Sequence, residues 1–169
     1  FNVEASRLGV QKALALNVLD QINLEHNVGV ITFYQISNLI TPLNKYGTQN
    51  IQELRTKIAN LQPKYDTEIY AGLSRAEFEL NRKRGSKNII LISDGQDEED
   101  KTRIIAKARK LSNNGVKIFT IGTAGDKTNK VLMEKLASLS GGIYYEPDQV
   151  NNLKLIFGEA PEDQCQKET

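Results

Sequence analysis

The chain has 169 residues, 39% of them hydrophobic and 25% charged, which bounds it to one globular domain with a single core and excludes a disordered polypeptide. Lys and Arg number 22 against 21 Asp and Glu, a net charge of +1, so no polyanion is expected as the main partner. The single Cys165 makes no internal disulfide, no run approaches the roughly 18 apolar residues of a membrane span, and no signal-peptide pattern is visible.

Helical and strand signals alternate along the chain. This predicts an α/β fold: a doubly wound, mostly parallel, Rossmann-like sheet flanked by helices, with a short antiparallel edge strand. Over residues 5–24, Val10, Ala13, Leu14, Val18 and Ile22 recur near helical spacing and predict an amphipathic helix. Val28 to Phe33 (VGVITF) is a nearly continuous, β-branched run of the kind that suits a strand buried on both faces. Ile36 to Ile40 reads as a short edge strand hairpinned to it, ended at Thr41-Pro42 because proline cannot donate to a ladder. Ile51, Leu54 and Ile58 mark a second helix, closed off before Pro63. Ile69, Leu73, Ala76 and Leu80 mark a third. The basic cluster Arg82, Lys83, Arg84 and Lys87 follows it, where cations meet the negative end of the helix dipole rather than a nucleic acid.

Asn88 to Ser93 (NIILIS) is the clearest buried strand in the chain. A helix follows through Ile104, Ala108 and Leu111, stopped by Asn113-Asn114-Gly115, residues that tolerate positive φ. Val116 to Gly122 is the next strand. Leu132, Leu136 and Leu139 give another helix, ended by Gly141-Gly142. Ile143-Tyr144-Tyr145 is a last short strand, and Val150, Leu153 and Phe157 mark a last helix. One domain is therefore predicted over 1–158, followed by a polar tail at 159–169. The first element is a helix, where chains of this kind usually open with a strand.

In open α/β sheets, ligands collect beyond the carboxyl ends of the strands. The strand 88–93 ends in Ser93-Asp94-Gly95, which places the Asp94 carboxylate at that rim, with Asp97, Glu98, Glu99 and Asp100 just beyond. The third helix begins near Asp66-Thr67-Glu68, which places the Thr67 hydroxyl at a helix N-terminus. A carboxylate and a hydroxyl on neighbouring loops are oxygen ligands for a hard cation such as Mg²⁺. The plainer readings are that Thr67 or Asp66 is an N-cap, and that Asp97 to Asp100 cap the next helix.

Several segments, in this order, resemble the von Willebrand factor A-type domain: NVGVITF (27–33), LITPL (39–43), DTEIYAGL (66–73), NIILISDGQDEED (88–100), GVKIFTIGTAG (115–125) and GGIYYEPDQVNNLKLIF (141–157). The similarity covers nearly the whole chain and looks closer to bacterial members than to integrin-type inserted domains. It implies a metal-ion-dependent adhesion site drawn from three loops. Thr67 matches the family's threonine and Asp94 its aspartate, while Ser93, Gln96 and Asp97 would shape the surrounding rim. The third loop, an Asp-x-Ser-x-Ser motif at the end of the first strand, has no match: Phe1-Asn2-Val3-Glu4-Ala5-Ser6 looks like the stretch just after it. Asp66 stands where the family often has glycine, and its carboxylate would bind a nearby water or cap the helix.

The resemblance also implies that the family's first strand lies centrally, between 28–33 and 88–93. Neighbouring strands sit about 4.8 Å apart, so its absence leaves a gap of roughly 10 Å. Each backbone group left buried and unpaired costs on the order of 1–3 kcal/mol. An upstream strand is therefore expected in the native domain.

The expected function is non-catalytic, adhesion-like protein binding, in which Mg²⁺ (with Mn²⁺ or Ca²⁺ as alternatives) at a completed site engages an Asp or Glu of the partner. No membrane insertion by this segment is expected. The alternative is a metal-independent scaffold. A Mg²⁺-dependent phosphoryl-transfer enzyme ranks last, because G-x-x-x-x-G-K-[ST], G-x-G-x-x-G and G-x-S-x-G patterns are all absent, and the sole histidine, His26, falls at the far end of the sheet. A single cysteine and no N-x-[ST] sequon fit a bacterial protein, extracytoplasmic or membrane-tethered.

Overall fold

Short-range capping chemistry sets the ends of several elements in the computed structural model, which describes residues 3–64, 66–97, 100–124 and 128–152. Helix α1 spans Val3–Gln21, followed by strands β1 (Asn27–Phe33) and β2 (Ser37–Lys45). A 3-10 turn then leads to α2 (Ile51–Ala59), where Asn50 accepts from the Glu53 N–H at 3.0 Å. Helix α3 (Ile69–Leu80), strand β3 (Lys87–Ser93) and helix α4 (Lys101–Asn113) follow; Asp100 caps α4 by accepting from the Thr102 N–H at 2.9 Å. Strand β4 (Val116–Gly122), helix α5 (Lys130–Ser140), the two-residue β5 (Tyr144–Tyr145) and a 3-10 helix over Pro147–Asn152 complete the described chain.

The alternation of helices and strands produces the doubly wound α/β architecture. Helices α1 and α2 lie on one face, where Leu14 and Val18 pack with Phe119 and Ile121, and Leu19 packs with Leu54 and Ile58. Helices α3, α4 and α5 cover the other, with Leu73, Ile104, Leu111 and Leu136 around Leu91 and Ile118. The odd and even positions of β3 and β4 thus face opposite layers, as a strand's two-residue period requires.

The sheet is divided. Strands β3, β4 and β5 form one parallel sheet in that order, while β1 and β2 form a separate antiparallel pair. Among the described residues no strand lies between β1 and β3, the position where the missing central strand was expected. Burial follows from this. Strand β4, flanked on both sides, has Ile118 and Ile121 fully buried. Strand β3 has only Leu91 and Ser93 buried, and β1 only Val28. The expectation that 28–33 and 88–93 are buried on both faces is therefore corrected: apolar composition buries a strand only when it has neighbours on both edges.

Three further expectations change. Strand β2 does not stop at Thr41-Pro42 but runs on to Lys45. Its register with β1 jumps between Val28↔Asn44 and Val30↔Thr41, so Pro42 and Leu43 together oppose Gly29 in a bulge that accommodates the missing proline N–H. Gly29 suits that crowding, since a Cβ there would stand 3.2 Å from the Leu43 nitrogen. On α1, Val10 and Ala13 are exposed and the buried stripe is Leu14, Val18 and Leu19. Val150 is buried in the final 3-10 helix rather than an α-helix; Leu153, Phe157, Cys165 and the predicted tail lie outside the described residues, as do Phe1, Asn2, Glu98 and Glu99.

Candidate functional site at the strand rim

The loop after β3 is built to turn sharply. Gly95 has φ of 69°, and a Cβ there would meet Met133 Cγ at 2.9 Å and the Asn129 carbonyl at 3.1 Å, so the turn packs directly on the start of α5. The Asn129 N–H donates to the Asp94 carbonyl at 2.7 Å and ties the two together. Ser93 is buried and its hydroxyl accepts from the Gly95 N–H at 3.0 Å, so it shapes this turn from beneath the rim.

Asp94 is 8% exposed. Its Oδ1 accepts from the Gln96 N–H at 3.0 Å, and its Oδ2 stands 3.3 Å from the Arg7 guanidinium of α1. Sequence reading missed Arg7, because nothing in a helical pattern marks which residue of one helix will reach a distant loop.

The second loop leads into α3. Asp66 adopts φ of 59°, the left-handed region where glycine is most at ease and Asp is among the tolerated residues. That is the position where the family often has glycine, so the backbone explains the departure. The Asp66 Oδ2 accepts from Gln35 Nε2 at 2.7 Å. The N-cap position of α3 is occupied by Glu68, whose side chain makes no capping bond. Instead Asp97, reaching over from the loop after β3, accepts from the Ile69 N–H at 2.6 Å. The expected capping role of the acidic run is thus split: Asp100 serves α4, while Asp97 serves α3.

Thr67 and Asp94 line the same cavity of about 1200 Å³, with Asp66, Gln96 and Arg7 also on its walls. His26 and Asn27, at the N-terminal end of β1, line it too. The donors at the rim are oxygens, the chemistry of a hard cation that keeps several waters. The Arg7 guanidinium stands against the Asp94 carboxylate and offsets its negative charge. Asp94 and Thr67 are the residues that would hold such a cation. Among the described residues, no three His, Cys, Asp or Glu side chains come together as a metal-holding group.

A parallel sheet wound on both faces, with an acidic loop and a threonine at its C-terminal rim, places this chain in the von Willebrand factor type A domain family, whose model matches residues 2–159; the chain belongs to that family. It is similar to an aerotolerance-related membrane protein from Bacteroides fragilis NCTC 9343, with a TM-score of 0.74, 20% identity, and coverage of 89% of this chain and 85% of that one. It also resembles the manganese-loaded TRAP protein of Plasmodium vivax (TM-score 0.72, 18% identity, 86% and 64% covered). A third likeness is to proximal thread matrix protein 1 of the mussel byssus with a zinc-occupied MIDAS motif (TM-score 0.65, 20% identity, 90% and 42% covered). At these identities the likeness establishes the fold. The family is one of protein-interaction and adhesion domains, generally without catalytic activity. No helix among the described residues is long and apolar enough to cross a membrane.

Proposed function

We propose that this domain binds a protein partner through a divalent cation at the C-terminal rim of its sheet, with Asp94 and Thr67 as ligands and Mg²⁺ as the preferred ion. The observation that carries this reading is that the oxygen-bearing side chains of Asp94, Thr67 and Asp66 all line one cavity. A bound cation would supply a Lewis-acidic anchor for an Asp or Glu of the partner, and charge neutralisation would give the contact its selectivity. Metal binding in the manganese- and zinc-bearing relatives supports the reading by analogy. The domain is proposed to be non-catalytic, and the likeness to a Bacteroides fragilis membrane protein favours an extracytoplasmic or membrane-tethered bacterial setting.

Calorimetric titration with MnCl₂ tests the metal step without knowledge of the partner. Saturable, EDTA-reversible binding that Asp94→Asn abolishes is the expected result, and binding indifferent to that substitution excludes the site.

A second reading, a metal-independent interaction scaffold, is favoured by a different observation. The carboxylates of Asp94, Asp66 and Asp97 each already have a protein partner, in Arg7 and Gln96, Gln35, and Ile69 respectively. Under that reading no Mn²⁺ heat is measured, and partner binding survives EDTA.

A further inference from the structure

Helices α3 and α4 lie side by side and run parallel: Tyr70 near the start of α3 meets Arg103 near the start of α4, and Glu77 further along meets Lys107 and Lys110. On the outer surface of this pair the carboxylates are turned inward and the cations outward. The Glu77 side chain is 9% exposed and its partner Lys110 63%, while Glu79 is 14% exposed against 36% for its partner Arg75. Glu79 also lines the inner cavity. Lys107, buried beside Glu77, neutralises that carboxylate from within, so Lys110 adds a charge that nothing else on the pair offsets. The surface that solvent meets here is positive, although the chain as a whole carries only +1.

Two aromatic rings hold the outward cations in place. The Arg82 guanidinium lies 4.2 Å from the centre of the exposed Phe78 ring and that of Arg75 lies 5.5 Å from it, while Arg103 lies 3.8 Å from the centre of the Tyr70 ring. A guanidinium stacked on a ring keeps its N–H edge available and loses less freedom on binding. Among the described residues Arg82 forms no ion pair.

The spacing of these cations suits an extended chain. Arg75 and Arg82 are seven residues apart, as are Arg103 and Lys110, which is two helical turns or about 10.5 Å. An extended peptide rises about 3.3 Å per residue, so carboxylates three residues apart match that interval. The planar fork of arginine binds a carboxylate through two N–H groups at once. A nucleic acid is the poorer fit, because single strands are gripped by stacking bases on open rings, and the Phe78 and Tyr70 rings already carry guanidinium groups.

We propose that the outer face of α3 and α4 is a docking surface for an extended acidic segment of a partner protein, with Arg82 and Arg75 as its main carboxylate-binding residues and Arg103 and Lys110 as a second row. It needs no metal and no contact with Asp94 or Thr67.

Fluorescence anisotropy tests this on the 169-residue chain in EDTA, with a labelled peptide of four Glu-Gly-Ser repeats as the probe. Saturable binding is expected that the matching Gln-Gly-Ser peptide does not show. Arg82→Gln, at an exposed position that leaves the core untouched, should weaken it about 5-fold, and adding Arg75→Gln should weaken it again. Arg82→Lys, which keeps the charge and loses the fork, should recover only part of the loss. Lys117→Gln, an exposed cation at the start of β4, should leave it unchanged. Four outcomes overturn the proposal: no binding of the Glu peptide; affinity unmoved by Arg82→Gln; equal weakening by Lys117→Gln, which makes the attraction one of net charge alone; or tighter binding of a labelled oligothymidylate, which makes a nucleic acid the occupant.

Discussion

Arg7 of the first helix stands 3.3 Å from the Asp94 carboxylate, a charge pair that joins the start of α1 to the loop after β3. The Arg7 side chain is 40% exposed while that of Asp94 is 11% exposed, so the pair sits at the solvent boundary. A cation arriving at Asp94 must compete with a guanidinium already there.

Exposed ion pairs contribute about 0–1 kcal/mol, so Arg7 is a weak competitor. Arg7→Gln is expected to tighten Mn²⁺ binding by up to about 5-fold, the equivalent of 1 kcal/mol. Titration of both proteins side by side checks this. Weaker binding in the variant would mean that Arg7 helps to hold the loop open for the ion.

Asp66 holds φ of 59° at the entrance to α3, and its side chain bonds Gln35. Left-handed backbone costs an ordinary residue about 1–2 kcal/mol, and glycine none of it. Asp66→Ala should lower stability by about 1 kcal/mol or more, while Asp66→Gly should lose little, since relief of strain offsets the lost hydrogen bond. Urea unfolding of the pair measures the difference. Equal losses would show that the Gln35 bond, not the backbone, governs this position.

Asp97 caps α3 from outside the helix, through its 2.6 Å bond to the Ile69 N–H. Loss of a capping carboxylate typically costs about 0.5–2 kcal/mol. Asp97→Ala is expected to cost that much and to speed amide exchange in the first turn of α3, because this bond also ties the β3 loop to the helix that follows Thr67. A variant with unchanged exchange at Ile69 would remove Asp97 from this role.

Glu77 of α3 is buried between Lys107, at 2.5 Å, and Lys110, at 2.9 Å, both from α4. The hydrogen bond from Lys107, followed by that from Lys110, holds its carboxyl below the ordinary 4.5. A depressed folded-state pKa contributes stability that is present above 4.5 and is lost as the pH falls through the lower, folded value. Glu77→Gln should therefore lower Tm at pH 7 and reduce the dependence of Tm on pH below 4.5. Lys107→Ala, which leaves a buried carboxylate short of one partner, should cost about 1–3 kcal/mol. Parallel acid-side slopes in Glu77→Gln and the unsubstituted protein would place the acid sensitivity elsewhere.

The elements that were legible in the chain are those written in local patterns. Leu73 and Leu80 of α3, Ile104 and Leu111 of α4, and Leu132 and Leu136 of α5 are buried as their helical spacing predicts. The Asn50 and Asp100 caps need only the next few residues to form. That Asp94 directly follows strand β3 and Thr67 closely precedes helix α3 was equally readable, because both boundaries are set by local pattern.

What depends on neighbours distant in the chain was not legible. VGVITF and NIILIS read as strands buried on both faces, and each is a strand; whether it is buried depends on a partner along its open edge, which no composition of the strand itself can specify. In the same way, an Asp four residues past a strand can cap the helix after it or one 28 residues earlier, and only the packing of the β3 loop against α3 directs Asp97 to Ile69. Local sequence sets dihedral preference and periodicity over a turn or two, whereas hydrogen-bond partners and burial are properties of the space between elements. That space was decided by tertiary structure alone: Arg7 against Asp94, and Asp97 against the Ile69 N–H.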